Sequence, residues 1–133
     1  MMATEPLSAD AAGSTATSLD ADALARLREL DPKGENKLLE RVLRAFQSSA
    51  ARLMPQLETA RLASDRATVR LVAHTLKSSS ASIGALELSQ VCAQLEALIR
   101  AESADDLDPL LHRLRVALGA ALKAIQRLLD ERP

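Results

Sequence analysis

Val69-Arg70-Leu71-Val72-Ala73-His74-Thr75-Leu76-Lys77-Ser78-Ser79-Ser80-Ala81-Ser82-Ile83-Gly84-Ala85 carries the reading of this chain. An α-helix advances about 100° per residue. With His74 set at zero, Val72, Leu76 and Ile83 fall within about 20° of the opposite side, and Val69 within about 40° of it. Those four form the stripe that must face a core. Ala67, Arg70, Leu71, Lys77, Ser78 and Ala81 lie within about 60° of His74. The segment is therefore an amphipathic helix, capped by Ser64 or Asp65 and closing near Ser82, with its histidine turned to solvent.

Working outward, the same period recurs on both sides. Upstream, Leu39, Val42, Leu43, Phe46, Ala50, Leu53, Met54 and Leu57 predict a long helix from about Glu35 to Leu62. Pro55 predicts a kink within it rather than a stop, because the period resumes at Leu57. Downstream, Leu88, Val91, Cys92, Leu95, Leu98 and Ile99 predict a helix from about Ala85 to Ala101. Asp108-Pro109 reads as a cap followed by a first-turn proline. It opens a last helix through Leu111, Leu114, Leu118, Ile125 and Leu129 to the C-terminus. Before all of these, Asp20 caps a short helix ending near Leu30, with Leu19 and Leu24 as a hydrophobic staple. This short helix is expected to lie across the end of the bundle.

Four substantial helices with short connections predict an all-α fold, an antiparallel up-down-up-down four-helix bundle with a short additional N-terminal helix. Residues 1–18 are rich in Ala, Ser and Thr without an apolar period and read as a disordered tail. Residues 19–133 read as the domain. The composition agrees, since 47% hydrophobic residues with 1% aromatic, four Gly and five Pro suit Leu- and Ala-packed helices rather than a turn-rich β fold.

The formal charge of −1 and the absence of Trp and Tyr give no argument for nucleic acid as a partner. No apolar run reaches the roughly 18 residues of a membrane span, and the start is not a secretory signal. A cytoplasmic protein is expected, and a monomer, since one stripe per helix can be satisfied within the bundle. Cys92 is the single cysteine, so an intramolecular disulfide is excluded, and its place on an apolar face makes it a core residue. No metal-ligand set and no glycine-rich phosphate loop stand out. Asp105, Asp106 and Asp108 read as helix-capping residues rather than a calcium loop. His112 has bulky neighbours and no chemical companion.

A histidine on an apolar face is usually a satisfied core residue; His74 is on the other face. The remaining bland reading is an ordinary solvated histidine. Against it stand Lys77, three residues on and able to attract a phosphoryl group, and the small residues Ala67, Ser78 and Ala81, which leave room for another protein. Neutral imidazole is itself a nucleophile near neutral pH.

These residues resemble a known pattern. His74-Thr75-Leu76-Lys77, the small run Ser78 to Ser82, and Ile83-Gly84-Ala85 are similar to the signature of histidine-containing phosphotransfer domains, and helix order extends the resemblance over roughly residues 19 to 130. The resemblance implies a helical bundle with His74 as phosphoacceptor and Lys77 near the phosphoryl group. It implies that Gly84 ends the histidine helix. It also implies partners in the receiver domains of response regulators and in hybrid sensor histidine kinases, with Arg70, Leu71, Ser78 and Ala81 around His74 as the docking surface. The chain would be a carrier without kinase activity or a cofactor of its own, Mg²⁺ being supplied by the receiver. Ser78 departs from the family's usual glycine, and either a changed partner preference or a hydrogen bond to the phosphoryl oxygens would follow. The alternative is a non-catalytic helical interaction module.

Overall fold

The computed structural model describes residues 19–131, so the expected tail over residues 1–18 lies outside the described residues. Five helices follow in order: α1 Ala21–Glu29, α2 Leu38–Leu62, α3 Arg66–Ser82, α4 Leu86–Arg100 and α5 Asp108–Asp130. No strand occurs among the described residues. α3 packs against α2 and most closely against α4, α4 packs against α5, and α5 closes the ring on α2.

Side chains that cross between helices fix the directions. Gln47 meets Gln126 at 3.1 Å, Glu58 meets Arg115 at 3.7 Å and Arg61 meets Asp108 at 3.9 Å. Rising numbers on α2 thus pair with falling numbers on α5. The same holds for α3 and α4, where Lys77 pairs toward Ser89, His74 toward Glu96, and Arg66 toward the carbonyls of Ser103 and Asp105. The bundle is antiparallel, as its short connections require.

The core is aliphatic. Leu43, Leu57, Leu76, Leu88, Leu95, Leu111, Leu114 and Ile125 are each at most 1% exposed. Burying such a side chain contributes roughly 1.5–3 kcal/mol of transfer free energy, so this single cluster carries the stability of the domain. On α3 the buried face is wider than the four-residue stripe. Ala73 and Ser80 are also fully buried, and the His74–Lys77 edge lies toward α4, where both side chains meet Glu96.

One helix start and one cap differ from the sequence expectation. α2 begins at Leu38 rather than Glu35, because Lys37 takes a left-handed φ of 52° and the Asp31 carboxylate accepts from the amides of Asn36 and Leu38. A cap drawn from seven residues away leaves no local signature. α3, by contrast, starts as expected: of the two caps the sequence offers, Asp65 accepts from Thr68, while Ser64 turns the chain at φ 55°. Asp108 is the first residue of α5 rather than its cap; its amide donates to Asp106 Oδ1, so the capping aspartate lies two residues earlier. α2 runs through Pro55 without a break.

The short α1 begins as expected, with Asp20 Oδ2 accepting from Ala23 N–H at 3.0 Å. Its place is fixed by a backbone bond, since Asp20 N–H donates to the Gly84 carbonyl at 2.9 Å. Gly84 has a φ of +83°, a conformation that costs an L-residue about 1–2 kcal/mol. A Cβ there would lie 2.6 Å from the Asp20 nitrogen. Gly84 therefore ends α3, turns the chain into α4 and seats α1 at that end of the bundle, all without a side chain.

Candidate functional site

The site lies on the α3–α4 face. His74 stands midway along α3 with its side chain 58% exposed. One and two turns C-terminal to it, Ser78 and Ala81 are exposed, and one turn N-terminal, Leu71 is 58% exposed and Arg70 half-buried. The side chains expected at the docking surface are thus exposed or half-buried beside an exposed ring.

A residue absent from the sequence reading organises this face. Glu96 of α4 is 2% exposed, and its carboxylate accepts three donors. His74 Nδ1 lies 2.8 Å from Oε2, Arg100 a further 2.8 Å contact on the same oxygen, and Lys77 Nζ 2.6 Å from Oε1. A buried carboxylate is retained only when paired in this way. The Lys77 ammonium, then the His74 hydrogen bond, hold the Glu96 carboxyl at about 2 against an ordinary 4.5, with burial opposing them. An ionised carboxylate has no proton to give and can only accept. The proton between His74 and Glu96 therefore sits on Nδ1, and in the neutral form of this exposed ring the lone pair is on Nε2.

Lys77 is not a free cation awaiting a ligand. Its ammonium donates to Glu96 Oε1, and its backbone carbonyl accepts from Ser89 Oγ at 3.0 Å, which ties the histidine helix to α4 beside the site. Cys92, one turn before Glu96, is fully buried as expected. Burial first, then the Glu96 charge, push its thiol up to about 12, with Lys77 opposing. It is inert packing under the site. His112 is exposed on α5, away from this cluster.

Glu96 did leave a signal in the sequence. It lies about 40° from Cys92 on the α4 wheel, at the edge of the apolar stripe, where a charge must find partners. Folding α3 and α4 back on each other about Gly84 places positions ten before and twelve after the turn side by side. That register joins Glu96 to His74, but only once the hairpin is granted.

The fold is a helical bundle that presents one exposed imidazole held by a buried carboxylate. In comparison with family models, the Hpt domain model matches residues 41–130, and the chain belongs to the Hpt domain family. The match leaves out α1. Members of this family are phosphocarriers of phosphorelays and not kinases, and receiver domains are their partners. No curated protein and no solved structure matches the chain. No helix among the described residues is long and apolar enough to cross a membrane.

Proposed function

We propose that the chain carries a phosphoryl group on Nε2 of His74, taking it from the aspartyl phosphate of a receiver domain or hybrid sensor kinase and passing it to another receiver. The observation that supports this most is the 2.8 Å bond between His74 Nδ1 and the buried Glu96 carboxylate, because it fixes the tautomer that leaves the lone pair on Nε2 of an exposed ring.

The step balances on that tautomer. The Nε2 lone pair attacks phosphorus in line; the N–P bond forms as the P–O bond to the receiver's aspartate breaks, and the electron pair leaves with that carboxylate. The Nδ1 proton stays in place. Glu96, held near 2, is too weak a base to take it, so Glu96 orients the ring rather than deprotonating it. A phosphorylated ring that keeps this proton is a good leaving group, which suits a carrier that must give its cargo up again. Lys77 stabilises the phosphoryl oxygens. Arg70, Leu71, Ser78 and Ala81 form the surface that meets the receiver.

Mg²⁺ belongs to the receiver in this reading. No cluster of three or more His, Cys, Asp or Glu suited to a metal occurs among the described residues, and the one carboxylate of the site is saturated by protein donors. The chain then acts as a phosphoryl carrier in the cytoplasm, without kinase activity of its own.

The test is incubation with purified receiver domains charged by acetyl phosphate. Acid-labile, alkali-stable label appears on the chain and is lost in His74→Gln. Label retained in that variant rejects His74. Absence of label together with partner binding that survives His74→Ala identifies an interaction module instead. For Lys77→Ala slower transfer with the helical fold retained is expected, and an unchanged rate removes Lys77 from the mechanism.

A further inference from the structure

Glu96 has more positive partners than a resting site needs. Lys77 alone would neutralise it, yet Arg100 binds it as well, at 2.8 Å and on the oxygen that also accepts from His74. Arg100 lies four residues on along α4 with its side chain 66% exposed. It makes no other hydrogen bond or ion pair among the described residues.

The second cation gains a purpose when the ring is loaded. A phosphoryl group adds close to two negative charges at neutral pH, on the ring whose other nitrogen already touches the Lys77–Glu96 pair. Lys77 is a flexible point charge on the histidine helix and is drawn toward them. With Lys77 as the sole counter-ion, that movement would leave the buried carboxylate with only the Nδ1–H bond, which opposes it. Arg100 removes the obstacle, because it stays on Oε2 and keeps both the charge of Glu96 and the Nδ1–H bond in place. We infer that Arg100 is a positioning residue: the standing counter-ion of Glu96 that releases Lys77 from Oε1 to the phosphoryl group once His74 is phosphorylated. This rests on the phosphoacceptor reading above.

Potassium phosphoramidate, a small-molecule donor that phosphorylates histidine, tests it without a cognate partner. Lys33, Lys37, Lys77 and Lys123 are the only lysines, so the Lys77 side-chain signals can be followed by NMR during loading. In the native chain they shift on phosphorylation while the His74 Nδ1–H bond to Glu96 persists. In Arg100→Gln, with helicity and melting retained, Lys77 stays on Glu96, its signals move little, and the phosphohistidine hydrolyses several times faster. Arg100→Lys restores most of both effects, whereas a purely structural role for Arg100 would leave the Lys77 shift untouched. Native-like loading, lifetime and Lys77 shift in Arg100→Gln overturn the inference and leave His74 as acceptor. No phosphate on His74 of the native chain overturns both.

Discussion

Replacing Gly84 by alanine tests how the histidine helix is ended and α1 attached, and Gly34→Ala supplies the control. Both glycines have positive φ, +69° at Gly34 and +83° at Gly84. A Cβ at Gly34 meets nothing within 4 Å, so that variant bears only the left-handed strain of about 1–2 kcal/mol, offset by about 0.4–1 kcal/mol from the stiffer unfolded chain. At Gly84 the same Cβ lies 2.6 Å from Asp20 N, 2.9 Å from Asp20 Cβ and 3.0 Å from Asp20 O. These are backbone and near-backbone atoms, so the start of α1 must withdraw. Withdrawal breaks the 2.9 Å bond from Asp20 N–H to the Gly84 carbonyl, worth about 1 kcal/mol net, and loosens the packing of Leu19 and Leu24 for about 1 kcal/mol more. The net expectation is about 3 kcal/mol for Gly84→Ala against about 1 kcal/mol or less for Gly34→Ala. At about 4 °C per kcal/mol in a domain of this size, the melting temperatures separate by about 8 °C. The chain has no Trp or Tyr, so far-ultraviolet circular dichroism under heat and urea is the suitable assay. Hydrogen exchange then asks whether α1 amides lose protection first. Equal losses in the two variants would refute the proposed contact between α1 and the α3–α4 turn.

Other consequences concern the charged cluster and its surroundings. Glu96→Ala should slow phosphotransfer about ten- to a hundredfold, the size of effect seen when the carboxylate that orients a metal-binding imidazole is removed. Glu96→Gln, whose amide oxygen still accepts from Nδ1–H, should lose much less, and equal losses would remove the tautomer argument. Glu96, Glu58 and Asp65 all titrate below their ordinary values, held down chiefly by Lys77, by Arg61 and by the Thr68 hydroxyl respectively. Acids lowered in the folded state contribute stability above their unfolded values and lose it as pH falls through the folded ones. For Glu96 that window runs from 4.5 down to about 2. Urea midpoints should therefore fall steeply over that window, less steeply in Glu96→Gln, and identical slopes would contradict the pairing. Cys92, buried with its thiol pushed up to about 12, should resist aromatic disulfide reagents at mildly alkaline pH until the chain is unfolded. Rapid modification of the native protein would place it elsewhere.

What could be read from the sequence follows from what is local. The periods of α2 to α5, the exposure of His74 and the burial of Cys92 depend on spacing within one helix, and they are found where spacing puts them. α5 starts at Asp108 as read, with Asp106, also read as a capping residue, two positions before it, whereas the misplaced start of α2 comes from a cap supplied at a distance, by Asp31. Glu96 and Arg100 escaped for the same reason at larger scale. Nothing on α4 alone says that an acid beside Cys92 faces the histidine and lysine of the preceding helix. Lys77 shows the cost: its position beside His74 was legible, but its partner was not, and it is engaged with Glu96 in the resting state. Ser78 is exposed one turn beyond His74, so the small side chain in place of the family's glycine leaves the ring accessible.

The central claim is a phosphoryl group on Nε2 of one histidine. Phosphorus–nitrogen coupling in nitrogen-labelled chain, loaded by a charged receiver domain, reads it directly. A single phosphorus coupled to Nε2 of His74, with Nδ1 still protonated against Glu96, is the predicted spectrum; coupling to Nδ1, to His112 or to no nitrogen at all would contradict the account.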